Sequence, residues 1–555
     1  MKFKNSLLGL LLSYVLACSP SKSINNSNFN GGNTEHPTPS ASPSPDIEEI
    51  FEQPIFYDVT QELGIPKLFE INSASWGDFN NDKYPDVVIV GKTTELYLNN
   101  SGQNFTPVNL SENTNGLMGW GRTSYITDMD KDSDLDIIIG GSFDRPTIQV
   151  LWNQLAESGN LGFISQNIWE ETNDSENEMY NSTFTGFGTL DLNNDDKLDL
   201  FVSRRPQKRE GDDNVTGQSA LILLQKENKN FENIINLSEY ENLKRCTSGV
   251  VYSFQFITRE TLARNILYIE KDMGAGCIFE YSNKGDFSLT DYSFLPDNEH
   301  LATMGNDYFI DEFETRILSS NTGVPMLHTI PHYGIDVNNT SRLIEEEDKS
   351  VSWSIVLDDY NNDGKPDFST SGGRLDACDR SGSADNTLPK QERLSLFLGS
   401  YGGRFVERSK HSGKFFDGTI TSDTYSMVDV DYNLDGKPDL SVAPWSVWDC
   451  EAGVAINDTP FRVFRNDGSY SGNWIGFYVP SSFNNSLIKI KTPDKNFYKP
   501  IKVQGSTGSN LDGQIHVGLG KINTIDNLEI FWSDNTTSTI QSSDLVLNSY
   551  NRINK

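Results

Sequence analysis

Apolar residues in this chain fall in short runs, broken by Asp, Asn, Gly and Ser. Val87-Val88-Ile89-Val90, Ile137-Ile138-Ile139 and Leu200-Phe201-Val202 are β-branched or aromatic and too brief for buried helices, so each predicts a buried strand. Hairpin patterns with a polar turn and a late aromatic follow at Leu96 to Phe105, Leu223 to Phe231, Phe279 to Phe287 and Leu396 to Phe405. Each repeat thus predicts four strands, the plan of a propeller blade.

An acidic loop precedes each of these buried strands. In Asp359-Tyr360-Asn361-Asn362-Asp363-Gly364-Lys365-Pro366-Asp367, oxygen-bearing side chains stand at positions 1, 3, 5 and 9. The same spacing gives Asp78, Asn80, Asp82 and Asp86; Asp128, Asp130, Asp132 and Asp136; Asp191, Asn193, Asp195 and Asp199; and Asp431, Asn433, Asp435 and Asp439. Position 7 is Tyr84, Asp134, Lys197, Lys365 or Lys437, where a backbone carbonyl adds a further oxygen. Hard oxygens in a tight curl suit Ca²⁺, and close carboxylates repel one another without it. Five calcium sites, structural in role, are expected. They are not EF-hands: position 12 is Ile89, Ile139, Val202, Thr370 or Val442 rather than a bidentate Glu, and strands flank each loop.

First ligands at 78, 128, 191, 359 and 431 leave one wide gap, with room for two repeats lacking an intact loop. Residues 247–288, turning at Arg259-Glu260-Thr261, and 304–330, with Asp307 to Arg316 as a worn loop, fill it. Seven blades are expected.

Trp76-Gly77-Asp78-Phe79-Asn80-Asn81-Asp82 and Met304-Gly305-Asn306-Asp307 resemble the FG-GAP/VCBS-type repeats of integrin α-chain heads and of cartilage acidic protein. Asn473-Trp474-Ile475-Gly476, His516-Val517-Gly518-Leu519-Gly520 and Leu528-Glu529-Ile530-Phe531-Trp532 resemble the ASPIC/UnbV-type module that follows the propeller in that family. The tail looks shortened around 484–510. The resemblance implies calcium binding, a surface or extracellular role, and an all-β fold: a seven-bladed integrin-α-like β-propeller with a small C-terminal β-domain. The expected division is 1–17 leader, 18–50 tether, 51–470 propeller and 471–555 module.

Composition narrows the partners. Net charge is −33, from 78 acidic against 45 basic residues, which repels nucleic acid and anionic membrane. A basic start (Lys2, Lys4) and the apolar stretch Leu7 to Ala17, too short to span a bilayer, read as an export signal. Its end, Val15-Leu16-Ala17-Cys18, resembles a bacterial lipobox, which implies lipid on Cys18 and an envelope location, the outer membrane being favoured because Ser19 rather than Asp follows. The Pro/Ser/Asn-rich stretch to residue 50 is a spacer. Cys246, Cys277, Cys378 and Cys450 remain for two disulfides, with Cys246–Cys277 and Cys378–Cys450 favoured among three pairings.

Loops after the second strand of each repeat lie on the face opposite the acidic loops. In a strongly acidic chain they carry Arg145, Arg204, Arg205, Lys208, Arg209, Arg374, Arg380, Trp445 and Trp448. Arg forks suit carboxylates and sulfates, and Trp faces suit sugars. These residues form a candidate face for a glycan or protein ligand; pairing with nearby Asp144, Asp212, Asp376 and Asp379 is the plainer alternative. No nucleophile elbow, HExxH or phosphate loop is present, and His328 and His332 read as packing residues. The expected function is a monomeric, non-catalytic, calcium-stabilised adhesion or binding protein. A polysaccharide lyase or hydrolase on the same scaffold is the alternative.

Overall fold

A computed structural model of the chain describes residues 52–110, 117, 119, 121–141, 146–170, 183–205, 220–234, 243, 246, 250–260, 265–272, 276–282, 288–294, 305–312, 314–320, 325–331, 339–342, 352–372, 394–400, 403–416, 424–444, 447–449, 454–456, 459–502 and 508–555. The leader, Cys18 and the tether lie outside the described residues. So do Phe287, His332, Met304, Cys378 and Cys450.

Among the described residues, seven four-stranded antiparallel sheets succeed one another ahead of the C-terminal module. Sheet I consists of Ile71–Gly77, Asp86–Gly91, Thr94–Asn99 and Phe105–Val108. The first strands of sheets II to VII are Gly121–Thr127, Thr183–Leu190, Val250–Ile257, Asn306–Ile310, Ser352–Asp358 and Thr424–Val430. Each first strand packs against the first strand of the next sheet, and that of sheet VII packs against that of sheet I. The sheets therefore form a closed ring: the protein is a β-propeller. Sheet VII takes its outer strand, Phe56–Asp58, from the start of the body, paired to Arg462–Asn466. This closure ties the two ends of the ring together and removes an open seam.

Sheets IV and V lie in the wide gap between the third and fourth acidic loops. Sheet IV turns at Arg259-Glu260 and resumes at Asn265–Asp272. Sheet V turns tightly between Ile310 and Glu314, where Asp311 accepts the Glu314 N–H.

Between the sheets, large side chains fill the wedge-shaped spaces. Phe201 meets Phe254 at 4.4 Å across sheets III and IV, and Trp169 meets Phe184 at 5.8 Å across II and III. The late aromatic Phe105 lies edge-on to Trp76 at 5.8 Å and 6.2 Å from Tyr432 of sheet VII. Fully buried Trp76 also donates its indole N–H to Ser441 of sheet VII at 2.7 Å. Toward the axis the lining is small and polar, and Ser73, Ser75 and Ser124 bond one another across sheets I and II. Small side chains let seven inner strands approach. The first strands of sheets I, II, III, IV, VI and VII carry a register shift near their start, which coils them toward the axis.

Cys246 and Cys277 are bonded. The bridge closes a loop of 31 residues around sheet IV. Changing both cysteines to Ala is expected to lower the unfolding free energy by about 3–4 kcal/mol, read by urea denaturation.

Residues 473–553 form a separate β-module. One sheet orders Gln514–Gly520, Asn473–Tyr478 and Tyr550–Arg552; the other orders Asn496–Pro500, Leu487–Lys491, Asn527–Phe531 and Thr537–Gln541. Ile475, Phe477, Ile488, Ile490, Leu528, Ile530 and Trp532 make its core. The stretch expected to be shortened, 484–510, supplies two of these strands.

Candidate functional site: acidic loops under a docked module

All five acidic loops adopt one conformation. Positions 4 and 6 are left-handed in each: Asn81 and Lys83, Lys131 and Ser133, Asn194 and Asp196, Asn362 and Gly364, Leu434 and Gly436. Six of the ten are Gly, Asn or Asp, which tolerate this region; Lys83, Lys131, Ser133 and Leu434 are held there against local preference.

The holding contacts repeat. The position-1 carboxylate accepts the N–H groups of positions 5 and 6, as Asp78 does from Asp82 (2.9 Å) and Lys83 (2.7 Å). Asp128, Asp191, Asp359 and Asp431 do likewise. Asn80, Asn193, Asn361 and Asn433 at position 3 accept the position-5 N–H. Position 5 (Asp82, Asp132, Asp195, Asp363, Asp435) accepts the position-7 N–H. Position 2 (Phe79, Met129, Leu192, Tyr360, Tyr432) is a buried apolar anchor that pins the loop to the core.

Position 9 is the most enclosed. Asp86, Asp199, Asp367 and Asp439 are fully buried, and Asp136 nearly so. One oxygen of each accepts the position-2 N–H: Phe79, Met129, Leu192, Tyr360 or Tyr432. The other accepts an N–H from the end of the third strand of its sheet: Asn99, Asn153, Gln225, Gly399 or Asn466. Burial pushes Asp86 up to about 8 and Asp199 up to about 7, and holds Asp136, Asp367 and Asp439 well above the usual carboxylate range. Asp86→Ala would orphan two buried N–H groups and is expected to cost roughly 2–5 kcal/mol, measured by chemical denaturation.

Sequence reasoning missed a relay of asparagines. Asn99, Asn153 and Asn466 donate through Nδ2 to the position-8 carbonyl of their own loop and to the position-2 carbonyl of the preceding one, at 2.8–3.3 Å. Loop is thereby linked to loop around part of the ring. The signal was an Asn closing the third strand in three repeats.

The donor set fits a hard divalent cation. Positions 1, 3 and 5 bring only oxygens together, and carboxylate oxygens of Asp128, Asp130 and Asp132 lie within 4.8 Å of one another. Asp130 Oδ1 and Asp132 Oδ2 are buried there with no hydrogen-bond partner.

The module sits on this same face. Tyr550 donates its hydroxyl to Asp431 Oδ2 at 2.9 Å. Tyr478 donates to the Lys83 carbonyl, Lys495 to that of Gly364, and His516 bonds Asn362 Oδ1 at 2.7 Å. Burial pushes the His516 imidazole down to about 4, so it stays neutral. Gly518 is obligatory, because a Cβ there would stand 1.9 Å from Asp359 Oδ2.

From the module, Gly508 to Asp512 enters the ring. Gly508 C=O accepts the Ser124 N–H, Asn510 C=O accepts the Trp76 N–H, and the Asp512 N–H donates to Trp76 C=O. The Asn510 side chain brackets Ile126, accepting its N–H at 3.0 Å and donating to its carbonyl at 2.9 Å. This segment links the first strands of sheets I and II, with one isolated parallel bridge between Trp76 and Leu511. Around it, Lys502 pairs with buried Asp307 at 2.7 Å and Lys499 with buried Asp358 at 2.8 Å. Where sheets V and VI meet the module, a cleft of roughly 410 Å³ opens, lined by Phe309, Glu312, Lys365, Phe497 and Tyr498 among others.

Little of the expected ligand face can be placed. Arg145, Arg374, Arg380 and Trp445 lie outside the described residues. The side chains of Arg205, at the end of Asp199–Arg205, and of Trp448, in Val447–Asp449, do too. Arg204 is not a loop residue: it lies within Asp199–Arg205, only 5% exposed, with its guanidinium 5.6 Å from the Trp169 ring centre. His328 is buried in Met326–Pro331.

This architecture defines a class: a β-propeller with acidic strand-to-strand loops on one face and a β-module docked over them. Residues 78–139 match the family model of the FG-GAP-like repeat, and 484–553 match that of ASPIC and UnbV. The propeller thus contains a match to the FG-GAP-like repeat, and the C-terminal module a match to ASPIC and UnbV. A search of curated proteins finds no match. Among solved structures, it is similar to the Dos1 propeller (8% identity, TM-score 0.37, 69% of this chain and 77% of that one). It is also similar to the Pseudomonas aeruginosa periplasmic gluconolactonase (13%, TM-score 0.37, 71% and 98%) and to a Lactobacillus plantarum protein (8%, TM-score 0.37, 72% and 100%).

Proposed function

We propose that this is a non-catalytic binding or adhesion module stiffened by calcium and held at a bacterial envelope by lipid on Cys18. The carrying observation is the shared conformation of the five acidic loops, with hard oxygens at positions 1, 3 and 5 turned inward. In this reading the position-1, 3, 5 and 9 side chains and the position-7 carbonyl hold each ion. The ion offsets the repulsion that the buried carboxylates would otherwise suffer. Its role is to fix the loops, and through them the module resting on Asp359, Asn362 and Asp431.

With the module covering the acidic-loop face, the opposite loops are the natural place for a ligand. The Arg and Trp residues there suit an anionic glycan or an acidic protein segment. The test is a triple substitution, Arg145→Ala, Arg374→Ala and Trp448→Ala, assayed on glycan arrays and in cell adhesion. Loss of binding with unchanged melting supports the reading, and unchanged binding refutes it. Incubation with anionic polysaccharides tests the catalytic alternative: new reducing ends above a chelated control would make the protein an enzyme. Cys18→Ser should abolish metabolic labelling by a palmitate analogue.

A further inference from the structure

The second acidic loop differs from the other four at two carboxylates: position 3 is Asp130 where they carry Asn, and position 7 is Asp134 where they carry Tyr or Lys. In three of them the position-7 lysine covers the outer oxygen of position 5: Lys197 on Asp195 Oδ2 (3.4 Å), Lys365 on Asp363 Oδ2 (3.1 Å) and Lys437 on Asp435 Oδ2 (3.1 Å). In the first loop Asn80 Nδ2 covers Asp82 Oδ2 at 3.0 Å. In the second loop position 7 is Asp134, and Asp132 Oδ2 is buried without a partner.

Carboxylates converge where the ammonium would be. Asp134 is 3% exposed; its Oδ2 accepts the Ala156 N–H at 2.8 Å, while its Oδ1 is buried and unpartnered. Glu157, on the short helix Leu155–Ser158 that follows the third strand of sheet II, brings a third carboxylate. Oxygens of Asp132, Asp134 and Glu157 lie within 4.8 Å of one another. Of the neighbouring ammonium groups, Lys131 pairs with Asp196, while Lys229 pairs with Asp130 of the loop itself, interacts with Glu157 at longer range and lies 4.2 Å from the Trp152 ring centre.

We propose that Asp132, Asp134 and Glu157 form an additional divalent-cation site, beside the loop's own cradle and sharing Asp132 with it, in which a metal ion replaces the lysine of the sister loops. Three carboxylates this close repel strongly unless a cation joins them. An all-oxygen set with an exposed edge at Glu157 suits Ca²⁺, with water completing the shell. Asp132 then bridges two ions. The inference extends the calcium reading above and rests on it.

The test is calcium stoichiometry by equilibrium dialysis on the full chain. Glu157→Gln and Asp134→Lys are each expected to bind one ion fewer per chain than wild type. Asp134→Lys rebuilds the sister-loop ion pair, so in chelator it should melt no lower than wild type. Equal, non-zero stoichiometry in wild type and Glu157→Gln overturns the additional site and leaves the five-loop reading standing. If no variant, wild type included, binds calcium, both fall. Should Asp134→Lys not fold, Glu157→Gln at an exposed position decides the matter alone.

Discussion

Removing divalent ions with EDTA is expected to lower the melting temperature by roughly 10–20 °C, restored by calcium but not by sodium. Each site saturated at a hundredfold its Kd would contribute about 2.7 kcal/mol, and several sites add. The pH dependence separates this from a general salt effect. Without metal, burial leaves Asp86 at about 8, Asp199 at about 7 and Asp359 at about 8, all above their ordinary values. Between the unfolded and folded values the native state binds the extra protons, so chelated protein should gain stability as pH falls from 8 toward 5. With calcium bound these groups are ionised, and acidification then displaces the ion and destabilises the fold. Opposite slopes in EDTA and in calcium, read by thermal scans from pH 5 to 8, are the expected outcome. Parallel slopes would mean that the loops hold no metal.

Lys502→Ala should be among the most damaging single changes in the module. It would leave Asp307, whose side chain is 1% exposed, without its cation at 2.7 Å. Breaking one partner of a buried ion pair costs about 3–5 kcal/mol. Replacing both, as Lys502→Met with Asp307→Asn, should recover much of that loss, since the charge is gone while the side-chain oxygen can still accept the buried Leu357 N–H. Urea denaturation of the two single variants and the double gives the coupling directly. Additive effects would show that the pair does not bear on docking. Limited proteolysis offers a second readout, because a weakened dock should expose the strands of the module first.

How much of this was written in the chain depends on the kind of signal. Strands such as Val87 to Val90 and the hairpins behind them announce themselves by short apolar runs, because their partners are close in sequence. The acidic loops are legible for the same reason: all their ligands lie within nine residues. The two gap repeats could be placed by spacing, although sheet V keeps little of the loop beyond a turn at Asp311. What could not be read was the docking of the module. Asn510 bonds Ile126 across 384 residues, and nothing around Gly508 to Asp512 distinguishes a segment that docks into the ring from a polar turn. Arg204 was misread because the boundary between a strand and its loop is poorly marked by composition. Its side chain satisfies both readings of Arg, as a cation for ligands and as a flat group for Trp169, and only the fold chooses. The left-handed curl at Lys83 and Leu434 was equally hidden, since neither residue type favours it.

The proposed role stands on calcium held in the five loops. Its most direct test is elemental analysis of protein purified without chelator and passed through gel filtration in calcium-containing buffer. Several calcium ions per chain are expected, removed by EDTA and reduced by a position-1 substitution such as Asp78→Asn. Protein carrying no divalent ion above the buffer level, with the same melting temperature before and after EDTA, would contradict it.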